Sequence, residues 1–525
     1  MTDDLSESIS QLQSWLMSVD DNNINEISIS ILNSVFINSE YSIHLANSLY
    51  TAIDYRPLKI TLYAQVLLLI NNENKAIFPL LKPYFLKNCF SDYEKKKCRL
   101  FFLHSCYENG LLDIEDVKYC FTHPNPPDES LEHSFNSLYF FCWFAPELEK
   151  EDAPFYEITK QWFFEASKII RCFPEDLVYF GKNFKELKKN DWKKMRKMRR
   201  NNASHLKMLE VLKDDDIDIF EMLQGESDFN WEQRIESSIY DVHWIINESA
   251  SLFEYSAYFG SVKCFKYIYS NYIQNNPKID PINENSFNVV HYAIAGGNIE
   301  IVRFLHSNDY DFNGALNISA LFHRNDIFDW VLNVLEMSIK KSVFGWYGSV
   351  INYAIKSFNT YVIDIILNEK ANKKSGNDEK FRIFQFAVEN CQIETIKFLL
   401  NRIDFNLLTK SYSDISILYF PIISNKVEMV KFFISKEPQL INSRSGFELP
   451  IWTAAKYGRT EIVEFLGSQP GIYKICNKRT FRDDPYEDCQ LPLGITTNVF
   501  EFCKSQAKRR LELIKERNPF FVGIG

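Results

Sequence analysis

The side chains most often used in catalysis and metal binding are dispersed along this sequence. None of the nine histidines has the spacing from a cysteine that is typical of a zinc site, and no C-x-x-C pair occurs. A Cys–His pair assembled only by folding is expected to be accidental. The histidines and cysteines are His44, His104, His123, His133, His205, His243, His291, His306 and His323, and Cys89, Cys98, Cys106, Cys120, Cys142, Cys172, Cys264, Cys391, Cys476, Cys489 and Cys503. We therefore expect reduced, mostly buried thiols, no catalytic residues and no bound metal.

Loops that bind phosphate or calcium are also missing from the sequence. It contains no G-x-G-x-x-G, no P-loop, no H-E-x-x-H and no EF-hand loop. Glycine, which such loops need for their backbone conformation, occurs only 17 times in 525 residues. The sequence therefore supports neither an enzyme nor a cofactor.

One charged segment could contact an anionic partner. Residues 181–200 carry ten basic and two acidic side chains, and residues 201–232 carry two basic and nine acidic ones. An amphipathic helix with a solvated basic face is the leading interpretation, because the apolar residues Phe184, Leu187, Met195 and Met198 recur at helical spacing. A nuclear-import segment is the second interpretation, and nucleic-acid contact is the third. The residues of the import segment are Lys193, Lys194, Arg196, Lys197, Arg199 and Arg200.

The elements that carry these side chains are predicted to be helices. Apolar residues make up 46% of the chain and charged residues 24%, as in ordinary globular proteins, and the net charge of -10 excludes a uniformly basic nucleic-acid-binding surface. Apolar residues recur at helical spacing from the start, as in Leu5, Ile9, Leu12 and Leu16. We therefore expect residues 1–180 to form an all-helical domain.

The N-terminal residues and the most apolar stretch indicate where in the cell the protein is located. The first residues are acidic, whereas a secretory signal begins with basic residues, and the most apolar stretch is shorter than the ~20 residues that cross a bilayer. We expect an intracellular protein, with the cytoplasm as the leading location and the nucleus as the alternative.

From residue 251 to residue 466 the sequence repeats itself with a period near 33 residues. The clearest copies are residues 288–305 (NVVHYAIAGGNIEIVRFL) and residues 449–466 (LPIWTAAKYGRTEIVEFL). Both resemble the ankyrin repeat, with His291, Ala293 and Gly297 at matching positions of the first copy. The turn positions of about seven divergent repeats are Gly260, Gly297, Asn325, Phe358, Cys391, Asn425 and Gly458.

The ankyrin resemblance implies a helix pair for each repeat, with a tight turn between an inner and an outer helix. Glycine and asparagine tolerate the left-handed backbone that ends the inner helix. Phe358 and Cys391 do not, so we predict tighter, 3₁₀-like turns at these two positions. His291 is expected to serve at the start of its helix and not as a ligand.

A wider resemblance covers residues 199–269. Its segments, in order, are RNN at 200–202, IDIF at 217–220, SSIY at 237–240 and LFEYSAYFGS at 252–261. They look like a family of divergent ankyrin proteins, expanded in parasitic protists, with a domain of unknown function before the repeats. The resemblance implies an N-terminal helical region joined to C-terminal repeats, and it supplies no functional residues.

These observations predict an all-α fold, an α-solenoid of stacked ankyrin-like helix pairs preceded by an N-terminal helical region. The predicted parts are an N-terminal helical domain at 1–180, a charged connector at 181–250, the repeats at 251–470, and a degenerate repeat with a capping helix at 471–525.

The leading functional hypothesis is a non-enzymatic scaffold that binds an unidentified partner protein through repeat loops and a concave face. Exposed loop tips are where recognition residues are expected. The candidate tip residues are Asn283, Glu284, Asn285, Ser286, Ser443, Arg444 and Ser445. The alternative hypothesis is a nuclear or chromatin-associated regulator that uses residues 185–200.

Overall fold

The chain forms two compact units in a computed structural model. The larger unit is Glu7–Val362, and the smaller unit combines Met1–Ser6 with Ile363–Gly525. The described residues are 3–92, 94–122, 135–169, 174–201, 207–227, 229–234, 239–246, 250–276, 287–340, 343–344, 348–371, 377–391, 393–402, 415–446, 448–470, 504–505 and 508. The all-α prediction is confirmed, since the only strands in these ranges are the two-residue strands β1 and β2.

Ten helices of the described residues precede the repeats. They are α1 (Asp3–Ser18), α2 (Ile24–Leu32), α3 (Ser42–Tyr55), α4 (Ile60–Glu73), α5 (Ile77–Asn88), α6 (Lys96–Glu108), α7 (Ile114–Thr122), α8 (Asn136–Glu151), α9 (Ala153–Ile169) and α10 (Glu175–Asn201). Helices two apart in the chain pack together, α2 on α4, α4 on α6 and α3 on α5, while α8 packs on α7, α9 and α10. The aromatic run 138–144 of α8 is fully buried, as expected of a core segment.

Helix α10 contains a break inside the basic segment. Asn190, Asp191 and Trp192 have left-handed φ values of 53°, 54° and 59°. The helical spacing of the apolar residues predicted one continuous helix here. Leu187 and Met195, on either side of the break, are both buried. The break falls at Asn-Asp, residues that tolerate left-handed backbone better than most.

In the larger unit, helix pairs follow in the arrangement of the ankyrin repeat. They are α11 (Lys207–Asp214) with α12 (Ile217–Gln224), α13 (Leu252–Phe259) with α14 (Val262–Asn271), α15 (Val289–Gly296) with α16 (Ile299–Ser307), and α17 (Ala315–Leu321) with α18 (Asn325–Asn333). Helix α19 (Val350–Lys356) follows them in the larger unit, and most of the next helix, α20 (Thr360–Ala371), belongs to the smaller unit. The inner helices α11, α13, α15, α17 and α19 pack in this order, and the outer helices α12, α14 and α16 do the same. Strands β1 (Val343–Phe344) and β2 (Gly348–Ser349) form an antiparallel hairpin before α19.

The smaller unit contains three helix pairs. They are α21 (Asn377–Asn390) with α22 (Ile393–Leu400), α23 (Tyr419–Ile423) with α24 (Val427–Lys436), and α25 (Pro450–Lys456) with α26 (Thr460–Ser468). The inner helices α21, α23 and α25 pack in order, and so do the outer helices α24 and α26. One helix precedes and another follows each of the seven predicted turns, and the preceding helix belongs to the larger unit at four turns and to the smaller unit at three. The predicted capping region, 471–525, lies almost wholly outside the described residues.

The first pair, α11 with α12, was not predicted as a repeat. Its residues belong to the acidic block that composition assigned to a charged connector. The turn between the two helices contains Asp215 with a left-handed φ of 51°, and the Asp216 side chain caps α12 by accepting from the Ile219 N–H at 3.1 Å. The acidic residues therefore form the turn and helix start of an additional pair.

Two predicted turns differ from the observed ones. Phe358 has a left-handed φ of 53°, so the prediction of a 3₁₀-like turn there is wrong. Left-handed backbone costs a residue with a side chain on the order of 1 kcal/mol, and burial of the Phe358 ring offsets this cost. In the third predicted repeat the left-handed residue is His323 with a φ of 51°, and Asn325 is already the first residue of α18. Cys391 is not among the left-handed residues.

At six of the turns, the residue after the turn residue bonds to the preceding helix pair. Its side chain donates to a carbonyl at the C-terminal end of the previous inner helix, where helix geometry leaves carbonyls without partners. These bonds run from Ser261 to Leu212, from Asn298 to Gly260, from Arg324 to Ala295 and Gly296, from Asn359 to Ala320, from Lys426 to Val388, Glu389 and Cys391, and from Arg459 to Ile423. These bonds fix the register of the six turns against the helix pairs before them.

Candidate protein-binding surfaces

Two inner helices of the larger unit, α15 and α17, are almost completely buried. All seven residues of α17 and residues 289–295 of α15 are below 4% exposed. Tyr255 and Tyr258 on α13 are likewise buried, at 0% and 2% exposed. In an ankyrin array the inner helices line the concave side, so within the described residues α15 and α17 leave no open surface on that side.

Helices α1 and α3 and the residue after α3 cover the turn edge of the later pairs in the larger unit. Arg56 donates from Nη2 to the carbonyl of the turn residue His323 at 2.8 Å. Gln13 donates to the carbonyl of the turn residue Phe358 at 2.8 Å and accepts from the Thr360 hydroxyl at 2.8 Å. The N-terminal helices and these helix pairs therefore share one core.

A buried segment, 239–246, links the two parts of that core. All eight of its residues are at most 7% exposed. Tyr240 donates to the carbonyl of Cys142 on α8 at 3.1 Å. Trp244 donates to the carbonyl of Asp54 on α3 at 3.1 Å, and its ring stacks on Phe322 after α17 at 5.3 Å. Charge composition placed this segment in the connector and gave no sign of its burial, although its apolar sequence, IYDVHWII, is the signal that could have indicated it.

The smaller unit, by contrast, has half-exposed aromatic side chains on its inner helices. Tyr419 on α23, Trp452 on α25 and Tyr457 at the end of α25 are all partly exposed. The phenol of Tyr457 neighbours that of Tyr419, and a hydrogen bond between them raises the pKa of Tyr419. Lys456 beside them pairs with Glu448 at 2.6 Å. We call Tyr419, Trp452, Lys456 and Tyr457 the aromatic face.

The loop tip before α25 contains three of the predicted binding residues. The Ser443 hydroxyl bonds to the Ser416 hydroxyl at 2.5 Å. The Ser445 hydroxyl accepts from the Ser416 N–H at 3.0 Å. Arg444 is exposed. The two serines therefore hold the loop in place, and Arg444 is the residue that faces solvent. The other predicted tip, Asn283, Glu284, Asn285 and Ser286, lies outside the described residues.

The structure divides the residues of the predicted import segment into exposed and buried ones. The exposed residues are Lys193, Lys194, Lys197 and Arg200, while Arg196 is half-buried. Arg199 is 1% exposed and pairs with Glu147 on α8 at 2.7 Å. Burial by itself raises the pKa of the Glu147 carboxyl, but hydrogen bonds from His104 and Arg199 hold that pKa below its ordinary value. Arg199 therefore forms a buried ion pair in the core and does not face solvent.

His291 and the cysteines of the described residues are buried. His291 accepts from the Asn288 N–H at 3.0 Å, and its other ring nitrogen bonds to the Asn313 carbonyl at 2.7 Å, as expected for a helix-start residue. Burial lowers the pKa of His291 to about 4, so the ring is neutral at pH 7. Burial raises the pKa of the Cys89 thiol to about 12, which makes it unreactive. The seven cysteines in the described ranges are all buried.

The described residues contain neither a metal-binding cluster nor a membrane-spanning helix. They contain no cluster of three or more histidine, cysteine, aspartate or glutamate side chains arranged to hold a metal ion. None of the helices in the same ranges combines the length and the apolar character needed to cross a bilayer.

Comparison with protein families identifies ankyrin repeats in two stretches of the chain. A model for ankyrin repeats in three copies matches residues 384–478, and a model for ankyrin repeats in many copies matches residues 253–306. The region before residue 253 matches no family model, and no catalytic domain is identified. Comparison with curated proteins gave no match. The chain therefore contains ankyrin repeats within residues ~253–478, on the helix pairs described above.

Proposed function

We propose that this chain is a non-enzymatic scaffold that binds a partner protein on the aromatic face of the smaller unit. Ankyrin repeats are generally protein–protein interaction modules. The observation that carries the proposal is the contrast between two inner helices of the larger unit, α15 and α17, which are buried, and inner helices α23 and α25 of the smaller unit, which retain half-exposed aromatic residues.

The composition of the aromatic face suits a binding site. Tryptophan and tyrosine are the residue types most often found at the energetic centres of interfaces, because each buries a large area and keeps one polar atom. Lys456, Glu448 and the exposed Arg444 supply charged groups for the rim, where their pairing fixes orientation more than affinity. The outer helices carry a second set of half-exposed aromatics, Phe432 and Phe465, which serve as a matched control.

Truncating the aromatic face is expected to release the partner. Loss of a single central aromatic costs about 2 kcal/mol of binding free energy, so Trp452→Ala combined with Tyr457→Ala should lower partner recovery at least ~30-fold. The measurement is proximity labelling in the native cell with the full chain as bait, quantified against wild type. Circular dichroism establishes that both variants are folded.

The matched control is Phe432→Ala combined with Phe465→Ala on the outer helices, and it should retain the wild-type partners. Equal recovery by both double variants, or equal loss, would place the binding site elsewhere.

We also propose the family placement and the boundaries that the sequence indicates. The order of the segments in residues 199–269 supports membership of the divergent, protist-expanded ankyrin family. Relatives whose equivalents of the buried segment 239–246 are polar would count against it. The boundaries 1–180, 181–250, 251–470 and 471–525 stay predictions that limited proteolysis can test.

We propose the cytoplasm as the location of the scaffold. The alternative proposal is a nuclear or chromatin-associated regulator. The exposed Lys193 and Lys194 favour it, and the buried Arg199 does not contribute to it. The charge-reversal variant described in the next subsection also tests this alternative, because a nuclear signal would be lost with those lysines.

A further inference from the structure

A basic concavity lies on the larger unit at the break in helix α10. It encloses about 790 Å³ and is open to solvent. Six basic side chains and two acidic ones, Glu186 and Asp191, contribute to its lining. The six basic residues are Lys189, Lys193, Lys194, Arg196, Lys197 and Arg200. The concavity is separate from the aromatic face, which belongs to the smaller unit.

Half of these positive charges are not neutralised within the described residues. Three have acidic partners, namely Lys189 with Glu186 at 2.7 Å, Lys197 with Glu210 at 3.1 Å, and Arg196 with Asp191 at 3.8 Å. Lys193, Lys194 and Arg200 make no ion pair with any described residue. The concavity therefore presents positive charge that an anionic partner could neutralise.

A rigid framework holds the concavity open. The left-handed residues 190–192 interrupt the helix at its edge, in a backbone conformation that is unfavourable for residues with a side chain. Trp192 is 1% exposed, and its indole N–H donates to the Glu149 carboxylate on α8 at 2.7 Å. This hydrogen bond fixes the turn against α8. The Arg199–Glu147 pair fixes the next helical turns in the same way. Lys193 and Lys194 are thus presented by a strained turn that is anchored on both sides.

We propose that the basic concavity binds a short acidic peptide segment of a partner protein. Its volume is suited to a few residues of extended chain. A long polyanion such as nucleic acid is disfavoured, because helix α11 with Glu210 lies directly beside the concavity and residues 201–232 carry nine acidic side chains. A short segment satisfies the unpaired cations without reaching this acidic surface.

The test is fluorescence anisotropy of the full chain with a labelled hexaglutamate peptide. Saturable binding is expected, and it should weaken as the salt concentration rises from roughly 50 to 300 mM, because charges at an open surface are screened. Lys193→Glu combined with Lys194→Glu should weaken binding at least ~10-fold, since it replaces attraction by repulsion. Circular dichroism confirms that the variants are folded.

The matched control uses two exposed lysines of the same helix that do not line the concavity. Lys182→Glu combined with Lys185→Glu should change the affinity less than ~2-fold, since these lysines lie outside the concavity. An equal loss of peptide affinity in both double variants would show that only the net charge of the chain matters, and would overturn the proposal. Absence of saturable peptide binding, or tighter binding of a 20-nucleotide single-stranded DNA than of the peptide, would overturn it as well.

Discussion

Replacing Gly296 by alanine should destabilise the larger unit by about 3 kcal/mol or more. In an ordinary helix this substitution stabilises by roughly 1 kcal/mol, because alanine has the higher helix propensity. Here a Cβ at residue 296 would lie 2.0 Å from the carbonyl oxygen of Tyr258 on the neighbouring inner helix, so the two helices would have to separate. The measurement is the midpoint of urea unfolding of the full chain.

Gly181→Ala is the matched control for this prediction. Gly181 also lies inside a helix, but its Cβ would meet only the Phe163 ring at an ordinary 3.4 Å. This variant should be neutral or slightly stabilised. Equal unfolding midpoints for the two alanine variants would show that the inner helices do not approach each other as closely as described.

Replacing Arg199 by methionine should cost about 3–5 kcal/mol of stability. The substitution leaves the Glu147 carboxylate buried without its main cationic partner, and a buried unpaired charge is among the most destabilising lesions known. Adding Glu147→Leu should recover most of the loss, since the charge is then removed with its partner. Urea unfolding of the single and double variants measures both effects.

Arg200→Met is the control, because Arg200 is the exposed neighbour of Arg199 in the same basic run. Its effect should stay within ~0.5 kcal/mol. A similarly small effect for Arg199→Met would mean that Arg199 is exposed and available to an import receptor or another partner.

The repeat architecture was predictable because it rests on local rules. Alanine in the inner helix, a tight turn, and an apolar stripe on the outer helix recur near every 33 residues, and periodicity detects them even where the consensus is lost. Phe358 shows the limit of these rules. Its left-handed backbone depends on burial of the ring and on the hydrogen bond from Gln13, some 345 residues earlier in the chain. Such tertiary compensation cannot be inferred from turn propensities.

The binding surfaces were less predictable for the same reason. Arg199 and Arg200 are adjacent and chemically identical, yet one is in the core and the other on the surface, because only the fold places Glu147 beside the first. The predicted loop-tip residues Ser443 and Ser445 have hydroxyls that bond within the protein. The aromatic face was missed because Trp452 and Tyr457 are ordinary variants within a repeat, and their exposure depends on what covers each inner helix.

The most direct test of this account is hydroxyl-radical footprinting of aromatic residues in the free full chain. Tyr457 is 36% exposed, whereas Tyr255, Tyr258 and Tyr292 on the inner helices of the larger unit are at most 3% exposed. We predict rapid oxidation of Trp452 and Tyr457 and oxidation of the three buried tyrosines that is at least ~10-fold slower, because the reagent reaches only solvent-accessible side chains. Equal oxidation of both groups would show that the inner helices of the larger unit are open, and would contradict the placement of the binding surface on the smaller unit.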